Sequence, residues 1–240
     1  VTSSFSLTGI NRTLLRSGLE RYRNALVVIV ASVMAIALTL TLLAPASAPN
    51  LARPSHADQV MLLTESWAKG DVIALVRHGE RCDRSTTQCL GPADGVTVRG
   101  EAAVKVLGAD FDQLGLQNAE IYSSMLTRAR QTASAMFVRP VEAQDWLFNC
   151  RGTMLRDALK HKVAGQNLIL VSHSECMDQL LVDMHLSTST TFGYGATLFI
   201  QASGTNGEPQ MLGYIEPKDW GSIVPVMTAS SRHGFEASQF

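Results

Sequence analysis

Two histidines in this 240-residue chain stand at the ends of its two clearest buried-strand patterns. Val72–Val76 (VIALV) runs straight into Arg77-His78-Gly79-Glu80, and Asn167–Ser172 (NLILVS) runs straight into His173. A neutral imidazole at such a place can attack an electrophile. Arg77 adds a planar fork of donors suited to phosphate oxygens, and Gly79 lets backbone approach a ligand closely. A third segment, Ser123-Ser124-Met125-Leu126-Thr127-Arg128-Ala129-Arg130-Gln131-Thr132-Ala133, follows another strand pattern and opens a predicted helix. Helix N-termini favour anions, so Arg128 is placed to reach the same crevice. Two histidines and two arginines converging there make a cationic pocket for a phosphoryl group.

The elements that must position them alternate. The spacing predicts helices over 59–67, 97–113, 126–137, 153–162 and 175–185. It predicts strands over 72–76, 119–123 and 167–172, with a weaker one over 141–148 and a final hairpin from 196–200 and 210–215 around Gly204–Gly207. Thr97 is a good N-cap for its helix. Residues 80–95 read as a long polar loop. Strands alternating with helices imply an α/β domain with a mainly parallel sheet, whose ligands sit beyond the C-terminal ends of the strands.

Composition narrows the class. The chain is 46% hydrophobic, 17% charged and carries a net charge of −1, which excludes a basic nucleic-acid binder and a largely disordered chain. The balance hides two regions. Residues 25–44 form an uncharged apolar run of bilayer length, preceded by Arg12, Arg16, Arg21 and Arg23 against the single acid Glu20. The remaining 196 residues carry 16 basic and 20 acidic side chains. Arginine before the apolar run predicts a basic cytoplasmic tail over 1–24, a signal-anchor helix over 25–44 that holds the protein to the inner membrane, and an exported, periplasmic remainder. Cleavage near Ala48, after the small-x-small Ala46-Ser47-Ala48, is the competing reading. A linker over 45–58, a folded domain over 59–225 and a flexible tail over 226–240 complete the expected organisation. Of the four cysteines, Cys82 and Cys89 are close in a loop, which favours that pair and leaves Cys150 for Cys176; four free thiols are the alternative. No cysteine or histidine spacing suits a metal, and no cofactor is expected.

Four ordered motifs then carry a resemblance. LVRHGE at Leu75–Glu80, VTVRG at Val96–Gly100, SSMLTRARQTA at Ser123–Ala133 and LVSH at Leu170–His173 resemble the histidine phosphatase superfamily, in its phosphoglycerate-mutase-like branch, over roughly 72–220. The stretch Arg77–Leu90 is similar to the exported lipopolysaccharide core heptose(II)-phosphate phosphatases, with Gly79 where they carry alanine. The resemblance implies a three-layer α/β/α fold and a two-step phosphoryl transfer. His78 would be the nucleophile, with Arg77, Arg128 and His173 on the phosphoryl oxygens. The substrate would be a phosphorylated sugar, such as a heptose phosphate of lipopolysaccharide, hydrolysed as a phosphomonoester without metal.

One departure from the family concerns the acid that protonates the leaving group. It usually follows the third strand, but here that region reads Trp146-Leu147-Phe148-Asn149-Cys150-Arg151. Glu80, Asp83 and Glu175 are the candidates, Glu80 first, with orientation of the pocket arginines as the alternative role for Glu80. Arg81 and Arg84 either bind a second anionic group or are solvated. Trp146 and Trp220 read as packing residues. A phosphoglycerate-mutase-type transferase and a non-catalytic phosphosugar-binding module on the same fold are the alternatives.

Overall fold

The computed structural model describes residues 12–204 and 207–237, with side chains over 22–204 and 207–229. Residues 1–11 of the expected basic tail, 205–206 of the hairpin turn and 238–240 of the C-terminal tail lie outside the described residues. The chain divides into two units, 1–45 and 46–240.

The first unit contains one helix, α1 (Arg12–Leu43). Its Tyr22–Leu43 stretch is long and apolar enough to cross a membrane, and its side chains are exposed. The helix starts well before the apolar run, as its leucines and arginines are good helix formers.

The second unit begins with α2 (Ala57–Ala68) and β1 (Val72–Arg77). Next come α3 (Val98–Leu114), β2 (Ala119–Ser124), α4 (Thr127–Met136) and β3 (Glu142–Gln144). They are followed by α5 (Met154–His161), β4 (Asn167–Ser172) and α6 (Ser174–Asp183). The hairpin β5 (Thr197–Gln201) and β6 (Gln210–Ile215) and the helix α7 (Trp220–Ala237) end it. The six strands form one sheet in the order β3-β2-β4-β1-β5-β6. β3, β2, β4 and β1 are parallel, while β5 and β6 add an antiparallel margin.

Alternation along the buried strands builds a core on each face. Ala74, Val76, Ile169, Val171 and Phe199 pack with α2, α3, α4 and α7. Ile73, Leu75, Leu168, Leu170 and Leu198 pack with α5 and α6. This is the expected three-layer α/β/α arrangement. Trp220 is a packing residue as predicted, fully buried with its ring centroid 4.8 Å from that of Phe111. Asn167 ties the strand starts together: its Oδ1 accepts from Val72 N (3.0 Å) and its Nδ2 donates to Trp67 O (2.9 Å).

Three expectations change. The linker over 45–58 is largely docked chain. Leu51 N donates to Tyr214 O (3.0 Å), Tyr214 N donates to Pro49 O (2.8 Å), and Ala48 and Leu51 are buried. The segment pairs in parallel with the open edge of β6. Its small and proline-rich composition hides this, because only two apolar side chains need burial. The tail expected from 226 is helical to Ala237, with Met227 buried against the α2–α3–α7 face. The internal Pro225 obscured that helix. The strand over 141–148 shrinks to three residues, because a 3₁₀ turn over Asp145–Leu147 turns Leu147 into the core.

Candidate active site

Strand register sets the site. Arg77 at the end of β1 lies beside Ser172 at the end of β4, so the next residues, His78 and His173, leave the sheet at the same level. His78 N donates to Ser172 O (2.9 Å), and the two imidazole centroids are 5.3 Å apart. Ser123 of β2 pairs with Val171, which carries Ser124 to the same rim, where its hydroxyl lies 2.8 Å from His173 Nε2. From the antiparallel side, Gly195 N donates to Arg77 O (3.0 Å). That contact sets Tyr194 with its ring 5.8 Å from His78 and 4.2 Å below the Arg77 guanidinium carbon.

His78 is 2% exposed. Its Nδ1 lies 2.7 Å from Gly79 O. A carbonyl only accepts, so Nδ1 carries the proton and Nε2 carries the lone pair. Arg128 Nε donates to that Nε2 across 3.2 Å. Burial drives the His78 pKa down to about 3, and the charges of His173, Arg128 and Arg77 add to the effect, so the ring is neutral near pH 7. Burial and then Arg128 hold His173 down to about 4. His173 Nδ1 is buried without a protein partner, as is Arg77 Nε, while Arg77 Nη1 donates to Phe192 O.

Beside Arg128 and His173 opens a cavity of about 690 Å³. Phe148, Asn149 and Arg151 line it from the loop after β3, and Glu175, Asp178 and Gln179 from α6. The Cys150–Cys176 disulfide, Cα atoms 5.7 Å apart, joins these two walls. The second disulfide, Cys82–Cys89, closes the loop after β1. Both pairs are the ones favoured by the sequence. Among the described residues no group of three His, Cys, Asp or Glu side chains could hold a metal.

His78, His173, Arg77 and Arg128 are thus brought together, but Glu80 is not. Its carboxylate is paired with Arg99 and accepts from Thr97 Oγ1 (2.7 Å). The bonds from Arg99 and then Thr97 hold its pKa down to about 2. In this geometry Glu80, the first-ranked acid candidate, fastens the 78–80 loop to Thr97 and Arg99. Thr97 does two jobs, since its hydroxyl also accepts from Gly100 N (2.9 Å) and caps α3. At Gly100 a Cβ would lie 2.8 Å from Glu80 N, so only glycine lets α3 approach the 78–80 loop this closely. That packing accounts for the Val96–Gly100 motif. Arg81 is turned onto Asp83, with Nε 2.8 Å from Oδ1, although its charge is felt at Arg128 and His173.

Ser124 and Tyr194 join the site without a sufficient signal of their own in the sequence. Ser124 lay within a quoted motif, and the parallel register to β4 was the missing step. Tyr194 is an aromatic between two glycines just ahead of a strand, a signal that gains meaning only once β5 is known to lie beside β1.

Residues 73–146 match the family described as histidine phosphatase superfamily (branch 1). The lipopolysaccharide core heptose(II)-phosphate phosphatase of Escherichia coli O1:K1 / APEC is 32% identical over 120 residues, 49% of this chain and 60% of that protein. The protein of the same name from Escherichia coli O7:K1 (strain IAI39 / ExPEC) is 31% identical over 121 residues, with the same shares covered. The match therefore spans 60% of the length of these relatives. Among solved structures, a phosphoserine phosphatase from Entamoeba histolytica in complex with 3-phosphoglyceric acid gives a TM-score of 0.47 at 13% identity, over 60% of this chain and 95% of that one. The protein histidine phosphatase SixA complexed with tungstate gives 0.48 at 16% identity, over 62% and 98%. Over residues 73–146 the chain is thus similar to the histidine phosphatase superfamily.

Proposed function

We propose that this protein is a phosphomonoesterase that works through a phosphohistidine on His78. The observation that carries the reading is the buried, neutral His78 with its Nε2 lone pair facing Arg128 and its Nδ1 proton fixed on Gly79 O. A nitrogen so fixed attacks phosphorus along one direction. The positive charge that develops on the ring is shared with the Gly79 carbonyl. Arg77 and Arg128 supply the donors on which the three phosphoryl oxygens rest, and His173, steadied by Ser124, adds another. Arg81 stands behind them as a charge that favours an anion.

The substrate of this reading is a sugar phosphate, and a heptose phosphate of the lipopolysaccharide core is the first to test. The named relatives support it, as does a cavity walled by Phe148, Asn149, Arg151 and Gln179, which offers a ring face and amides to a polyhydroxylated leaving group. The site of action is the periplasm, with α1 as inner-membrane anchor or signal. Its arginine-flanked apolar run and the two disulfides support that placement.

The test is phosphate release by the full chain in detergent, from sugar phosphates and intact lipopolysaccharide, with the core mass measured afterwards. The parent should release phosphate and shorten the core by one phosphate. His78→Ala should lose at least about 1,000-fold of the rate, as for a removed nucleophile. A parental rate in His78→Ala would end the reading.

A further inference from the structure

With Glu80 fastened to Arg99, the leaving-group proton needs another source. Asp83 is engaged by Arg81, and Glu216 accepts from Gly193 N (3.1 Å). The described carboxylates that line the cavity are Glu175 and Asp178, on the first two turns of α6. Glu175 lies two residues after His173. It is exposed, and its side-chain partner is the hydroxyl of Ser174 (3.1 Å).

Its surroundings are rich in cations. Arg77 comes from the end of β1, Arg81 from the loop after it and Arg128 from α4, with the neutral imidazole of His173 at the end of β4 beside them. Arg151 lines the cavity beyond the disulfide, and Asp178 on the same helix is the like charge. Glu175 therefore lines the cavity beside Arg128 and His173 and lies within electrostatic reach of Arg77, Arg81 and Arg128.

We propose that Glu175 is the proton carrier of the reaction, giving a proton to the leaving oxygen and then taking one from the attacking water. The inference rests on the phosphatase reading above. In the first step His78 Nε2 forms a bond to phosphorus while the bond from phosphorus to the leaving oxygen breaks. That oxygen takes the Glu175 proton and departs as an alcohol. In the second step a water oxygen bonds to phosphorus, its proton passes to the Glu175 carboxylate, and the phosphorus–Nε2 electron pair returns to nitrogen. Inorganic phosphate leaves and Glu175 is protonated again. The proton on His78 Nδ1 stays on that nitrogen throughout, donated to Gly79 O.

The substrate itself loads the first proton. Burial disfavours the charged form of Glu175, but its own amide, Ser174 and the charges of His173 and Arg128 outweigh that and hold its pKa low. A phosphoryl dianion among those cations cancels their field and repels the carboxylate. The proton affinity of Glu175 rises as substrate binds.

The experiment compares the parent with Glu175→Gln on two substrates, 4-nitrophenyl phosphate and glycerol 3-phosphate, by rapid quench. An aryl leaving group needs little acid help, an alkoxide much. In Glu175→Gln the nitrophenolate burst should stay within about threefold of the parent, its steady state should fall, and phosphorylation from glycerol 3-phosphate should slow by at least about 100-fold. Calorimetry of sulfate binding, in buffers of different ionisation heat, should show uptake of about one proton per site in the parent and none in the variant. Equal slowing of both substrates, an unchanged glycerol 3-phosphate rate, or a variant that no longer binds sulfate would overturn the proposal. A parent that forms no phosphohistidine from either substrate would instead defeat the phosphatase reading beneath it.

Discussion

Arg128 Nε donates to His78 Nε2 across 3.2 Å, so the cation proposed to hold the phosphoryl oxygens also occupies the lone pair proposed to attack phosphorus. An arriving phosphoryl oxygen competes for that N–H. Anion binding and release of the nucleophile are therefore one event. Arg128→Ala should lower kcat/KM by about 100- to 1,000-fold, the usual loss for a transition-state donor. The same change should raise the His78 pKa, because Arg128 is one of the charges that depress it. Arg128→Lys should restore little, since lysine has neither the fork nor the Nε donor. Steady-state kinetics and imidazole NMR on the three proteins check this. A lysine variant at parental activity would contradict it.

The two site histidines make stability depend on pH. Both are held neutral when folded, His78 at about 3 and His173 at about 4, with burial as the main cause. In the unfolded chain they bind protons near pH 6.5. Below that, the unfolded state takes up protons that the folded state refuses, so stability complete above pH 6.5 is lost as pH falls toward 4. The loss by pH 5 is on the order of 2 kcal/mol for each histidine. Urea unfolding at pH 7 and pH 5 should show it, and His78→Gln should remove roughly half of the difference. A pH-independent midpoint would contradict the buried neutral state.

Gly100→Ala separates packing from helix propensity. In an exposed helix the change would gain about 1 kcal/mol. Here the new Cβ would meet Glu80 N at 2.8 Å and Glu80 O at 3.0 Å, both backbone atoms. The 78–80 loop must shift, so the variant should melt lower than the parent and lose at least about tenfold of activity through His78 misplacement. A higher melting temperature with full activity would show that the approach of α3 to this loop does not matter.

The disulfide between Cys150 and Cys176 closes a loop with a sequence separation of 26 and joins two walls of the cavity beside Arg128 and His173. Cys150→Ser/Cys176→Ser should cost about 3 kcal/mol of stability by loop entropy. It should also raise KM for a sugar phosphate more than for 4-nitrophenyl phosphate, because the released loop carries Phe148, Asn149 and Arg151. Equal changes in KM for both substrates would contradict that role.

The meeting of Arg77, His78 and His173 at the strand ends was legible because each follows its strand locally. Arg77, His78 and His173 follow apolar runs directly, and strands of that kind have few ways to be read. The layers were legible for the same reason. What escaped depended on distant partners. Glu80 stands beside His78 in sequence, yet Thr97 and Arg99 take its oxygens, and tripeptide adjacency says nothing of that competition. The docking of Leu51 on β6 and the burial of Met227 likewise require knowing which sheet edge and helix face are left open. Ser124 and Tyr194 become site residues only through register.

In the proposed reaction phosphorus bonds to His78. The measurement is transfer of label from a ³²P-phosphomonoester to the full chain, quenched in alkali and mapped by peptide. The account predicts one acid-labile, alkali-stable phosphoryl group on the peptide containing His78, formed before phosphate release and absent from His78→Ala. Phosphate release with no labelled protein, or with label on another residue, would contradict it.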